Sequence, residues 1–183
     1  MSLPHVLLGM LAEPASGYEL KQYFDQSVRH FWSAELSQIY PALTKLEKEG
    51  LLSSNSAPSD KGPSRKMYRR TAAGKTALHD WLVDGPQCRT ERLSYLTQVF
   101  FLDSISAAHR TRFMEDLKAD FAARLQTLQD IEQEWSGNDP AYPDQLDDTE
   151  FYQQMTLQLG LKKYRLTVEW CEECLGRMRK RKT

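Results

Sequence analysis

Ser37-Gln38-Ile39-Tyr40-Pro41-Ala42-Leu43-Thr44-Lys45-Leu46-Glu47-Lys48-Glu49-Gly50-Leu51 carries more organisation than any other stretch of the chain. Ile39, Leu43 and Leu46 recur at i, i+4 and i+7, which places three apolar side chains on one stripe of a helix. Ser37, Pro41, Thr44, Lys45 and Lys48 fall on the opposite face. One face suits a core and the other a partner. Ser37 is expected as the N-cap and Pro41 as a first-turn residue. Gly50 is expected as the left-handed residue that ends the helix.

Working outward, alternation replaces the helical period after Gly50. Residues 51–55 and 66–71 read as two short strands, joined by a loop whose Asp60-Lys61-Gly62-Pro63-Ser64 has turn-forming composition. This predicts a β-hairpin with a basic tip and a basic return strand. Thr71 is expected to cap another helix, with Leu78, Trp81 and Leu82 buried. Upstream, residues 3–12 form a compact apolar helix with Pro4 in its first turn. Residues 13–17 read as a turn. Tyr18, Leu20, Tyr23, Phe24, Val28 and Phe31 then make a second, less regular helix ending near Trp32. The predicted order is helix, helix, helix, hairpin, helix.

Asp84-Gly85-Pro86-Gln87 punctuates the chain, and the composition beyond it is almost wholly helical. Two domains are therefore expected, residues 1–84 and 85–183. A short helix over residues 92–102 precedes a long one reaching about Trp135, in which Phe113, Leu117, Phe121, Leu125, Leu128, Ile131 and Trp135 make one apolar face. Residues 136–143 should break it. A last long helix runs from about Asp148 to Arg179. In it Leu157, Leu161, Tyr164, Val168, Cys171, Leu175 and Met178 alternate steps of four and three, the seam of helices packed lengthwise, and are expected at a dimer interface. A second stripe, Phe151, Met155, Leu159, Leu166 and Trp170, lies at a different angle. One intramolecular partner cannot cover both, so the two stripes predict a symmetric homodimer built by the C-terminal domain. The fold class is mainly α: a winged helix-turn-helix followed by a helical dimerisation domain with two long antiparallel helices.

With 183 residues, 40% of them hydrophobic, the chain can bury a core in each half. Its net charge of −1 says nothing about partners, but the distribution is uneven. Lys61, Arg65, Lys66, Arg69, Arg70 and Lys75 cluster without an acidic residue, and the tail carries Arg177, Arg179, Lys180, Arg181 and Lys182. The tail reads as a favourable helix end or as an extra contact to a polyanion. Three cysteines, no signal-like start and no run near the roughly 20 apolar residues of a membrane span predict a cytoplasmic protein with no membrane partner.

A capped amphipathic helix followed by a basic hairpin suits duplex DNA. The helix would enter the major groove with Gln38 and Thr44 at base edges, Ser37 on the same face, and Lys45 and Lys48 on phosphate or bases. Lys61, Arg65 and Lys66 would form the wing. A solvated helix and a charged surface loop would leave the same pattern. Cys171 and Cys174 lie within a helix without further ligands nearby, and the four histidines are dispersed, so neither a metal nor a cofactor is expected. Glu47 and Glu49 read as a solvated helix end. Trp32, Phe100, Phe101, Trp135 and Trp170 either line an effector cavity between the domains or are core.

His5-Val6-Leu7-Leu8-Gly9-Met10-Leu11, Ser16-Gly17-Tyr18-Glu19-Leu20, Ile39-Tyr40-Pro41-Ala42-Leu43 through Leu46-Glu47-Lys48-Glu49-Gly50-Leu51, and Tyr68 to Thr71 with Gly74 resemble the PadR family of transcriptional regulators. Trp81-Leu82, residues 89–101 and Leu159-Gly160-Leu161 through Trp170 resemble the dimerisation region of its larger members. The resemblance implies a homodimer on a two-fold operator, usually repressing, that answers to phenolic acids, hydrophobic drugs or no known signal. It also implies that Tyr40 contacts the DNA backbone or orients the recognition helix; a half-buried packing tyrosine is the alternative. Two rival classes stand beside a repressor that is not an enzyme. One is a winged-helix interaction or ligand-sensing module without DNA binding. The other is a thiol-redox enzyme using Cys171 and Cys174, which would need a depressed thiol pKa.

Overall fold

The computed structural model of the chain describes residues 3–28, 31–58, 65–88 and 91–181. Contacts group them into two units, Met1–Thr90 and Glu91–Thr183. The first runs α1 (Leu3–Met10), β1 (Ala15–Ser16), α2 (Gly17–Tyr23), a π-helical turn (Phe24–Val28), α3 (Leu36–Lys48), β2 (Leu52–Ala57), β3 (Arg65–Arg70) and α4 (Ala72–Val83). The apolar stripe of α3 lies where its spacing puts it: Ile39, Leu43 and Leu46 are buried with Leu7, Leu8, Leu11, Leu20 and Phe24. Burial of such side chains is worth about 1.5–3 kcal/mol each.

The start of α3 differs from expectation. Its N-cap is Glu35, whose backbone N–H donates to Gln38 Oε1 at 3.1 Å. Because the Gln38 amide reaches back over the preceding turn, the helix begins before Ser37, and Pro41 falls in the second turn rather than the first. The far end follows expectation. Gly50 has φ +73°, Leu51 N–H donates to the Leu46 carbonyl at 2.9 Å and Gly50 N–H to the Glu47 carbonyl at 3.0 Å. This paired termination satisfies two carbonyls that the helix leaves open.

The second helix keeps its α-form only to Tyr23 and widens into the π-helical turn, where Ser27 Oγ donates to the Tyr23 carbonyl at 2.6 Å. Residues 13–17 are more than a turn. Ala15 and Ser16 pair antiparallel with Tyr68 and Met67, so the sheet order is β1-β3-β2. A two-residue strand is too short for any periodicity to reveal. Thr71 caps α4 as expected, accepting from Gly74 N–H at 3.1 Å. Leu78 packs on the core and Trp81 stacks on His5 at 4.5 Å, but Leu82 is exposed. It lies one residue past Trp81, turned by about 100° from the packed face.

The second unit holds α5 (Ser94–Phe100), a 3-10 turn (Leu102–Ser104), α6 (Ala107–Asn138) and α7 (Asp148–Lys180). The break expected at residue 136 comes later, since α6 continues through Ser136 and Gly137 to Asn138. Met114, near the start of α6, packs with Cys171 and Leu175, near the end of α7, while Phe121 and Leu128 pack with Leu157, Leu161 and Tyr164. The two long helices therefore lie antiparallel. Val168 and Met178 pack on the same clusters. The seam expected at a dimer interface is thus filled by α6 of the same chain, because a helical hairpin buries its heptad face on its nearest neighbour first. The 139–147 connection is tied to both helices through Tyr142: its hydroxyl donates to Glu132 at 3.3 Å and accepts from Gln154 Nε2 at 3.2 Å.

Two expected outcomes follow. A Cβ at Gly74 would stand 2.2 Å from the Leu51 carbonyl oxygen. Gly74→Ala should therefore cost about 1–3 kcal/mol, read by urea unfolding; an unchanged midpoint would mean that the two segments do not touch. His5 Nδ1 is buried without a partner, and burial lowers the His5 pKa below its ordinary value. The unfolded chain then takes up this proton at higher pH than the folded one, so His5 contributes stability above about pH 6.5 that is lost as pH falls. His5→Phe, which keeps an aromatic ring on Trp81, should flatten the fall in melting temperature between pH 7 and 5. An equal fall in both proteins would contradict it.

Candidate nucleic-acid interface

The outer face of α3 is the place to look, because its inner face is fully committed to the core. Ser37, Gln38, Tyr40, Thr44, Lys45 and Lys48 are all exposed. At 100° per residue, Ser37, Thr44 and Lys48 share one line along the helix, with Gln38 and Lys45 beside it. Thr44 Oγ1 donates to the Tyr40 carbonyl at 3.0 Å, which leaves its lone pairs outward. Lys45 stands 3.8 Å from Glu49, a solvent-exposed pair of little energetic weight, and Lys48 has no ion-pair partner among the described residues.

Tyr40 lies off this line and touches α2. A Cβ at Gly17 would meet its ring at 2.5 Å, so the two helices of the helix-turn-helix approach closely here and a larger residue would have to push the Tyr40 ring aside. The ring is still 46% exposed, so it both packs against Gly17 and reaches solvent. Ser16 holds the start of α2 in place: its Oγ accepts from Glu19 N–H at 3.2 Å and its own N–H donates to the Glu19 carboxylate at 2.7 Å. The hydrogen bond from the Ser16 backbone N–H to the carboxylate, and then that from the Ser16 side chain, keep the Glu19 pKa below its ordinary value.

The hairpin stands beside α3. Its register pairs Ser54 with Tyr68, Ser56 with Lys66 and Ala57 with Arg65. Alternation puts Arg65 and Arg69 on one face of β3 and Lys66, Tyr68 and Arg70 on the other. Arg70 Nη1 donates to the Leu8 carbonyl at 2.9 Å and ties the strand base to α1. Lys66 does not project freely. Its ammonium lies 2.6 Å from Glu47 Oε2 and 5.1 Å from the Tyr68 ring centre, while Ser54 Oγ donates to the other Glu47 oxygen. Glu47 is therefore not a solvated helix end. The hydrogen bond from Lys66, then that from Ser54, lowers its pKa, and the same Lys66 contact raises that of the lysine. Spacing could not reveal this contact, since residues 47 and 66 meet only through the register of the sheet. Lys61 and the 60–64 turn lie outside the described residues, as does His30.

The aromatics named as effector candidates are dispersed. Trp32 packs on the first core, Trp135 and Trp170 are half-buried on the two clusters of the second unit, and Phe100 and Phe101 are exposed and edge-to-face at 5.0 Å. A cleft of about 450 Å³ in the second unit is lined instead by Glu91, Arg92, Leu93, Ser94, Leu96 and Thr97. Cys171 is fully buried, and burial raises its thiol pKa, the opposite of what a reactive thiolate requires. Among the described residues no cluster of three or more His, Cys, Asp or Glu could hold a metal ion. Among the same residues, no helix is long and apolar enough to cross a membrane.

Comparison with known proteins accounts for both units. Residues 6–80 match the model of the transcriptional regulator PadR-like family, and residues 91–179 that of the virulence activator alpha C-terminal region. The negative transcriptional regulator PadR of Bacillus subtilis is 30% identical over 176 residues, spanning 95% of this chain and 96% of the relative. The crystal structure of B. subtilis PadR with operator DNA superposes with a TM-score of 0.82 at 28% identity, covering 97% of this chain and 99% of that one. The same regulator with p-coumaric acid gives a TM-score of 0.75 at 29% identity, with 98% and 96% covered. Likeness in sequence and in fold thus extends through the recognition helix, the hairpin and the long helices alike, and the chain belongs to the PadR-like family of transcriptional regulators.

Proposed function

We propose that the chain acts in the cytoplasm as a repressor, binding a two-fold DNA operator as a homodimer. The carrying observation is α3 itself, whose outer line of Ser37, Thr44 and Lys48 is open along its length while the opposite face is locked into the core. In the major groove this line would present Gln38 and Thr44 to base edges and Lys45 and Lys48 to phosphate. Arg65, at the start of β3, extends the basic surface along the wing. Tyr40, packed on Gly17 and partly exposed, orients α3 against α2 and can reach the backbone. The homology with a negative regulator supports repression, and that relative's operator complex supports DNA as the partner.

The dimer is assigned to the second stripe of α7. Met155, Leu159 and Leu166 are 52%, 67% and 67% exposed, and they point about 180° from the seam that α6 fills. A small aromatic acid as releasing ligand agrees with the relative's p-coumaric acid complex. Of the five aromatics named for it, Phe100 and Phe101 are the exposed, adjacent pair.

Selecting bound sequences from a random duplex pool should return a palindrome. The Lys45→Ala, Lys48→Ala double variant should weaken binding to every duplex and flatten the slope of log K against log salt by about 1–2. Gln38→Ala or Thr44→Ala should instead change the preferred base pair by about 1–3 kcal/mol of discrimination. No enrichment from the pool would favour an interaction module without DNA binding. Leu159→Glu with Leu166→Glu should give a monomer by sedimentation with helicity retained; an intact dimer would move the interface elsewhere.

A further inference from the structure

The Glu47 carboxylate sits where a DNA-binding surface gains nothing from negative charge. It projects from the recognition helix, beside the basic hairpin, on a face that would approach a polyanion. A carboxylate there repels phosphate unless it does something else. Its contacts say what: one oxygen accepts from Ser54 on β2 and the other from Lys66 on β3, so a single side chain of α3 holds both strands of the wing.

The other ties on the hairpin reach no farther out than Met67, one residue short of Lys66. Leu52 and Tyr68 are in the core, Arg70 bonds to the Leu8 carbonyl, and Ala15 and Ser16 pair with Tyr68 and Met67. Lys66 is the second residue of β3, next to the tip, and Ser54 lies midway along β2. Two-stranded ribbons twist easily and are marginal alone, so the angle of the outer half is set by whatever grips it there. Among the described residues that grip is Glu47.

We propose that Glu47 is a positioning residue, clamping the wing to the recognition helix through Ser54 and Lys66, and that Lys66 serves this clamp rather than contacting phosphate. The inference rests on the DNA-binding reading only for its consequence; the clamp itself belongs to the free protein. It fixes the distance between the groove-facing line of α3 and Arg65, on the opposite face of β3 from Lys66. Wing and helix then meet the duplex as one preformed surface, and the cost of ordering the hairpin is met during folding rather than on binding.

Two measurements test it on the full-length protein. In the absence of DNA, amide exchange in β2 and β3 should accelerate about tenfold in Glu47→Ala, and in Glu47→Gln by less, with exchange in the α1 and α3 core unchanged. Parent-like exchange in both variants would overturn the clamp whether or not the protein binds DNA. On the operator, Glu47→Ala and Lys66→Ala should each weaken binding about five- to tenfold, and the double variant no more than either alone. The salt slope of Lys66→Ala should equal that of the parent. If Glu47→Ala bound more tightly and Lys66→Ala flattened the slope by about 0.9, Glu47 would be a mere repulsive charge and Lys66 a phosphate contact. Exchanging the two charges, Glu47→Lys with Lys66→Glu, should restore part of the affinity, which a simple packing role would not allow. Absence of operator binding by the parent would instead sink the functional reading and leave the exchange result to decide the clamp.

Discussion

One turn holds the first unit together, the Gly50-Leu51 junction. The left-handed backbone at Gly50 ends α3, and only glycine adopts it without strain. The Leu51 carbonyl then accepts from both the backbone N–H and the hydroxyl of Thr71, each at 3.1 Å, while the Gly50 carbonyl accepts the same hydroxyl at 2.8 Å. The helix end, the strand start, the end of the return strand and the start of α4 are joined within a few ångströms. Gly74 is glycine because α4 begins against that carbonyl. The direction in which the hairpin leaves α3 is set here.

The second unit rests on a division of one helix between two faces. The seam of α7 is satisfied by α6, and what remains outward is the stripe of Met155, Leu159 and Leu166. Leaving large apolar side chains in water costs free energy, about 25 cal/mol for each Å² that could be covered. A second copy of the chain is the proposed cover for this stripe. Both stripes stand out in the primary structure. Which of them faces inward does not, since a helix presents two apolar rows without indicating which meets its neighbour first.

Much of the candidate site was legible from residue spacing. Ile39, Leu43 and Leu46 define the buried face of α3 and thereby its open face, and the switch from a helical to an alternating period at Gly50 marks the hairpin. The residue pattern places Ser37 and Pro41 two positions too early in the helix, because the cap is made by the Gln38 side chain reaching backward and not by a typical capping residue. Glu47 was missed for a different reason. Its partners lie 7 and 19 residues away on two strands, so nothing in the local pattern around it signals an anchor. The pairing of Ala15 and Ser16 with β3 was invisible on the same ground.

The amino-acid sequence by itself determined the order of elements, the caps at Thr71 and Gly50, the apolar faces, the basic hairpin and the family resemblance. Each of these depends on interactions between residues a few positions apart, which periodicity and turn chemistry report. Only the tertiary structure decided that Glu47 grips the wing, that Tyr40 packs on Gly17, and that the α7 seam belongs to its own chain. Those contacts join residues far apart in the sequence, and their existence depends on strand register and helix approach, quantities that no local spacing contains.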